Sequence, residues 1–122
     1  MSEIGKIVWT DLTVPNAEVV RDFYAKVVGW DSGEYDGDYT MMPPGTEDAV
    51  VGICHAKGVN ANLPPQWMVY ITVADLDASL ADCAALGGKA LTDIRHFGAS
   101  RFCVIQDPAG AVAALYEKHE DA

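Results

Sequence analysis

Apolar and polar residues alternate over Ile7 to Val14, IVWTDLTV, and that alternation predicts a β-strand. Side chains in a strand repeat with period two, so Val8, Leu12 and Val14 share one face while Ile7, Trp9, Asp11 and Thr13 share the other. Pro15 cannot continue a ladder, and Asn16 is a suitable N-cap. From Ala17 the period becomes helical. Ala17, Val20, Phe23, Tyr24 and Val27 form the expected apolar side, Asp22 and Lys26 lie four apart on the wet side, and Gly29 supplies the stop.

The same unit returns at Trp67, where WMVYITV runs into a helix capped by Asp75 and stopped at Gly87 and Gly88. Placing Val14 on Val73 gives an offset of 59 residues, which also aligns Leu12 with Ile71, Asn16 with Asp75 and Gly29 with Gly88. One register satisfies strand, cap and stop together. Two copies fall short of the roughly three repeats that a solenoid needs, so the expected outcome is a duplicated unit closing one pseudo-symmetric sheet.

Three short strands should follow the first helix: Trp30 to Tyr35, Tyr39 to Met42, and Ala49 to Ala56. Asp36-Gly37-Asp38 predicts a tight hairpin, and Gly52 predicts a bulge or a close approach by another group. In the second half, after a helix from Leu76 to Leu86, strands are expected near Lys89 to Ile94, Arg101 to Gln106 and Val112 to Glu117. The pattern is β, α, β, β, β, twice. It predicts an α+β fold in which two βαβββ modules form an open, curved, eight-stranded sheet with the helices on its convex side. One domain is expected over residues 1–122, with module one at 1–58, a linker at 59–65 and module two at 66–122.

That geometry assigns Val8, Leu12, Val14, Trp67, Val69, Ile71 and Val73 to the helix side. It leaves Trp9, Asp11, Thr13, Met68, Tyr70, Thr72, Ala114 and Tyr116 to line the concave side. Such a mixture of aromatic, apolar and polar groups suits a small-molecule pocket, although Trp9, Met68 and Tyr70 would equally serve as core filling. Asp11 resists the filling reading, because a carboxylate in a closed core is costly unless paired.

The chain carries 18 acidic and 8 basic residues, a formal charge of -10. This argues against nucleic acid and anionic membrane surfaces as partners, since phosphate contacts need a basic footprint. MSEIGK lacks an apolar targeting segment and no apolar run approaches the length of about 20 that spans a bilayer, so a cytoplasmic location is expected. Cys54, Cys83 and Cys103 are odd in number and form no CxxC pair, which points to small buried hydrophobes rather than a disulfide framework.

The segments VWTDLTVPN, FYAKVVGW, PPQWMVYITVADLDA, SRFCVIQDPAGA and ALYEK together resemble the vicinal oxygen chelate superfamily, which contains glyoxalase I, bleomycin-resistance and extradiol dioxygenase proteins. The resemblance is nearest to glyoxalase-like proteins related to lactoylglutathione lyase. Metal-binding members of that superfamily place His or Glu on the first and last strands of each module. Here those positions fall on Trp9, Met68 and Ala114, with His55 at the fourth and Cys54 as its alternative. The resemblance therefore implies that the usual divalent metal centre is absent and that no cofactor is expected. His55 is the one metal candidate left by that pattern, and Asp11, His55 and Glu117 are the only residues from which another site could be assembled. A homodimer, joined through sheet edges or exchanged modules, is also implied.

Three functions stay open on these grounds. The first is a metal-independent small-molecule site with Trp9 and Tyr70 as walls and Asp11 as polar anchor, whose carboxylate is also the one candidate for a general base. The second is a metal-dependent lyase, isomerase or dioxygenase with non-standard ligands. The third is drug sequestration of the bleomycin-resistance type. Arg101, at the start of a strand, reads as a structural ion pair or as a neutraliser of an acidic ligand group.

Overall fold

The computed structural model describes residues 3–120. It is α+β, with two α-helices and nine strands of mixed direction. Two compact units share the chain: one is Trp9–Trp67, and the other is formed by the described residues on either side of it.

In the first unit, β1 (Ile7–Val14) runs parallel to β4 (Val51–His55), β3 (Asp38–Met42) is antiparallel to β4, and β2 (Asp31–Tyr35) forms the outer strand on β3. β2 and β3 are joined by Asp36 and Gly37, with φ of 51° and 87°. Positive φ at both central residues is what a two-residue hairpin demands, and Asp followed by Gly supplies it at low cost. Helix α1 (Ala17–Val28) ends at Gly29, whose left-handed backbone lets its N–H reach the Ala25 carbonyl. Asn16 occupies the N-cap position without a side-chain hydrogen bond.

Leu12, Val14, Ala17, Tyr39, Met41 and Ile53 form the core on the helix side, and Tyr24, Trp30 and Trp67 pack against it. The Trp67 indole donates to the Tyr24 hydroxyl at 3.3 Å, and the Tyr24 and Trp67 rings meet edge to face at 5.2 Å. The helix does not bury the whole apolar set that its sequence offers. Phe23 and Val27, expected on the inner side, are 54% and 63% exposed, because the helix turns Ala17, Val20, Tyr24 and Ala25 to the core and leaves these two on its flank.

The second unit repeats the plan. Parallel β5 (Trp67–Thr72) and β9 (Val112–Glu117) are followed by antiparallel β8 (Ser100–Gln106), which carries both β6 (Lys89–Ala90) and β7 (Arg95–Phe97). One strand was expected from Lys89 to Ile94, and two short ones are present. Between them the Thr92 hydroxyl accepts the Val104 N–H at 3.2 Å, so a side chain replaces one rung of the backbone ladder and the count becomes nine rather than eight. Helix α2 (Leu76–Ala85) is capped by Asp75, which accepts from the Ala78 N–H at 3.1 Å. Its buried Leu76 packs with Cys103 and Leu115, and Val73, Leu80, Ile94 and Ile105 close over them. All three cysteines are free.

Glu117, at the end of β9, fixes the start of α2. Its Oε2 accepts the Leu76 N–H at 2.7 Å and Arg101 at 3.0 Å, and its Oε1 takes a second Arg101 bond at 3.0 Å and faces His119 Nε2 at 2.6 Å. Arg101 also reaches Asp77 at 3.1 Å, so the structural ion pair is the reading of Arg101 that the geometry supports. The Arg101 bonds first, then the Leu76 N–H and His119, pull the Glu117 carboxyl down from 4.5 to about 2. A carboxyl depressed on folding stabilises the protein above its unfolded pKa, and that stability is lost as pH falls through the folded value. Glu117→Gln should therefore lower the melting temperature at neutral pH by roughly 6–10 °C, from a charge-assisted network worth ~1.5–3 kcal/mol. The difference from wild type should shrink as pH is lowered from about 4.5 to about 2, which a pH series of thermal melts would measure.

Candidate functional site

Each helix claims one face of its own strands, and the candidate residues lie on the other. In the first unit the register pairs Asp11 with Gly52, Leu12 with Ile53, Thr13 with Cys54 and Val14 with His55. Leu12, Val14 and Ile53 are helix-side core, so period two puts Trp9, Asp11, Thr13, Gly52 and Cys54 on the face away from α1.

Asp11 is held at close quarters there. The Trp9 indole Nε1–H donates to Asp11 Oδ1 at 2.6 Å, and a Cβ added at position 52 would overlap that same oxygen. The approach that Gly52 foretells is thus made by the carboxylate of the neighbouring strand. Half-buried Asp11 accepts that hydrogen bond and so sets the plane of the indole. Cys54 lies beside it. Burial, and after it the Asp11 and Asp38 charges, push the thiol well above its ordinary pKa against an opposing hydrogen bond from Thr13. This niche stabilises the thiol form, which is the opposite of what a nucleophilic cysteine needs.

His55 is on the helix side. Its ring lies 5.4 Å from that of Tyr39, a core residue, and its backbone N–H donates to Asp38 at 2.9 Å. Of the two residues that compete for the fourth metal position, Cys54 shares the face of Asp11 and His55 does not.

In the second unit Tyr70 pairs with Ala114 and Thr72 with Tyr116, while Phe102 faces Tyr116 and Val104 faces Ala114 across β8 and β9. Leu115 and Cys103 belong to the helix side, so Met68, Tyr70, Thr72, Phe102, Val104, Ala114 and Tyr116 occupy the other. Met68, Val104 and Ala114 are buried and form the apolar floor. The Tyr70 and Phe102 rings stand 5.7 Å apart at 53°. Phe102 is the residue that the sequence reading missed, although the alternation in SRFCVIQ and an antiparallel partner at Tyr116 would have found it. Thr72 is 4% exposed, and among the described residues its Oγ1 has no hydrogen-bond partner.

The donors for a divalent metal do not fit. The Trp9 indole has no lone pair to give and spends its N–H on Asp11, Ala114 has no donor atom, and His55 looks the other way. Glu117 is engaged by Arg101 on the helix side. Among the described residues no three His, Cys, Asp or Glu side chains gather into a group that could hold a metal ion.

A family model described as Glyoxalase/Bleomycin resistance protein/Dioxygenase superfamily matches residues 6–115. The chain belongs to this superfamily. CFP32 of Mycobacterium tuberculosis, which carries a provisional glyoxylase name, is 33% identical over 122 residues, covering 94% of this chain and 45% of its own length. The anthracycline biosynthesis protein DnrV of Streptomyces peucetius is 26% identical over 132 residues, covering 93% of this chain and 47% of its own. The chain thus spans about half the length of the curated relatives it matches. Among solved structures, methylmalonyl-CoA epimerase of Mycobacterium tuberculosis aligns with a TM-score of 0.58 at 16% identity, covering 98% of this chain and 93% of that one. A superfamily member from Vibrio splendidus aligns at 0.59 and 14%, covering 90% and 97%. These likenesses establish the glyoxalase-superfamily fold. No helix among the described residues is long and apolar enough to cross a membrane.

The Asp11–Gly52 contact generates a direct test. Gly52→Ala should cost ~1–3 kcal/mol through overpacking, and Asp11→Ala in the same chain should recover part of it by clearing the space. Chemical denaturation of the two single variants and the double variant measures the coupling, expected at ~0.5–3 kcal/mol for residues in contact.

Proposed function

We propose that the chain is a small-molecule-binding protein that works without the divalent metal of its superfamily, and that it takes a planar, ring-bearing ligand on the face formed by β5, β9 and β8. One observation carries this reading: among the described residues the buried Thr72 hydroxyl lacks a hydrogen-bond partner, and it lies beside Tyr116 in the register. A buried polar group left unpaired costs about 1–3 kcal/mol, and a ligand oxygen or N–H is the natural complement on a face whose other members are Tyr70, Phe102, Tyr116 and an apolar floor. Planar ligands match such rings through offset and edge contacts. The relative DnrV, named for anthracycline biosynthesis and thus for fused-ring products, supports the same class.

Trp9, Asp11 and Thr13 supply the polar and aromatic part of the corresponding face in the first unit. Asp11 acts there as a positioning residue, since its carboxylate orients the indole. General-base chemistry would need a second titratable group matched to it, and the neighbouring Cys54 is held as the thiol. Binding is therefore proposed and a reaction is left unassigned. The formal charge of -10 favours neutral or cationic ligands over acidic ones at long range.

Thr72→Val separates a binding role from a structural one. Removing the unpaired hydroxyl should leave the melting temperature unchanged or raise it, while affinity for a planar polycyclic quinone identified by thermal-shift screening should fall about five- to tenfold, the loss of one hydrogen bond. Calorimetry after exhaustive chelation should return the wild-type affinity. Failure of every planar ligand to bind, or equal affinity in the valine variant, would sink the assignment; loss of affinity on chelation would return the metal-dependent alternative.

A further inference from the structure

Residues just before β1 and just after β9 lie at the end of β5, and a cleft of about 640 Å³ opens among them. Glu3, Ile4, Thr72, Val73, Lys118 and Glu120 line it, all within the second unit. Both walls are tied to the frame. On one side the Gly5 N–H donates to the Thr72 carbonyl at 2.7 Å, and the Thr72 N–H donates to the Lys6 carbonyl at 2.9 Å. On the other, the Ser100 hydroxyl accepts the His119 N–H at 2.9 Å and donates to the His119 carbonyl at 3.2 Å. The His119 ring turns to Glu117 at 2.6 Å, while its neighbours Lys118 and Glu120 border the cleft.

The charges of the cleft are unequally matched. Glu3 is attended by two lysines, Lys6 at 3.3 Å and Lys118 at 3.9 Å, whereas among the described residues no ion pair reaches Glu120. Water satisfies an exposed carboxylate, so Glu120 alone would mark nothing. Thr72 is the second observation: it is 4% exposed, it lines the cleft, and among the described residues its hydroxyl has no hydrogen-bond partner. A buried hydroxyl in that condition is costly. Thr72 also ends the row of Met68 and Tyr70 on the open face, so it stands where that face and the cleft meet.

We propose, resting on the ring-binding reading of the open face, that the cleft receives a basic arm carried by the planar ligand. The N–H or oxygen at the root of the arm meets Thr72 Oγ1, and the ammonium at its tip meets Glu120. Tyr70 and Thr72 are two residues apart on one strand, ~7 Å, so a ring lying against Tyr70 and Phe102 clears Thr72 with an arm of about four atoms. Ile4 and Val73 offer apolar contact to its methylene groups. An acidic arm would face Glu120 instead, in a chain whose formal charge is already -10.

Calorimetry on the full chain with matched probes tests this: an anthraquinone carrying an aminopropylamino arm, and the same ring carrying a butylamino arm. Glu120→Gln should weaken the amine probe about two- to fivefold, as for an exposed charge pair, and leave the butyl probe unchanged. Glu120→Lys should weaken the amine probe further and strengthen a third probe with a carboxypropylamino arm. At about 1 M salt these differences should vanish. Glu120 is exposed, so neither change threatens the fold. Amine-probe affinity indifferent to Glu120→Gln, or a loss shared equally by the butyl probe, overturns the basic arm while the ring-binding reading stands. Failure of all three probes to bind overturns both.

Discussion

Each unit has one helix with which to cover two sheet faces. Period two makes the consequence unavoidable: whichever parity of residues the helix buries, the alternate parity must find another environment. In the first unit α1 takes Leu12, Val14, Met41 and Ile53, and the alternate set is Trp9, Asp11, Thr13 and Cys54. In the second unit α2 takes Cys103 and Leu115, leaving Tyr70, Thr72, Phe102 and Tyr116. Polar and aromatic residues are tolerated on that second face because no helix packs on it. The site candidates are therefore a by-product of where the helices lie, and the same constraint removes His55 from consideration by putting it on the wrong parity.

What could be read in the sequence was what depends on neighbours along the chain. The alternation in IVWTDLTV, the Asp36-Gly37 hairpin, the Asp75 cap and the Gly29 stop are local, and each is set by the conformational preference of its own residues. What could not be read depends on pairing at a distance. The offset that aligns the two strand–helix units placed His55 at a metal position, but the parallel register of β1 with β4 decides the facing, and it brings Cys54 beside Thr13. The interruption between β6 and β7 comes from a hydroxyl, Thr92, bonding to a strand twelve residues on. Phe23 and Val27 were expected inside because apolar character reports a preference for burial without saying against what. Gly52 marked a close approach, and only the paired strand names Asp11 as the group that makes it.

Two carboxylates show how differently this chain houses charge. Glu117 is surrounded by charge-assisted donors, Arg101 above all, and its depressed pKa is the signature of a residue that fixes structure: it ties the first turn of α2 to the last residue of β9. Asp11 has an indole N–H and the bare backbone of a glycine. The indole is a neutral donor, where Arg101 is a charged one. The Trp9 and Gly52 contacts are both made by the same oxygen, Asp11 Oδ1, so a change at Trp9 or at Gly52 bears on where that carboxylate sits. On the proposed reading, a side chain whose plane is set in this way would give a ligand a fixed aromatic surface at lower entropic cost than a free one.

The superfamily fold can recognise ligands in two physical ways, and the side chains present here favour one of them. Coordination to a dication needs lone pairs converging on a point, and Trp9, Met68 and Ala114 bring no such convergence to the positions where metal-binding members keep it. On the reading proposed above, the rings and small floor residues would instead take a ligand as a slot does, by shape and by a few hydrogen bonds at its border. A slot discriminates poorly between isosteres unless it contains a polar group that must be satisfied. On that reading Thr72 is such a group: buried beside Tyr116 and, among the described residues, without a hydrogen-bond partner for its hydroxyl, it would penalise a ligand that cannot complete that bond and favour one that can.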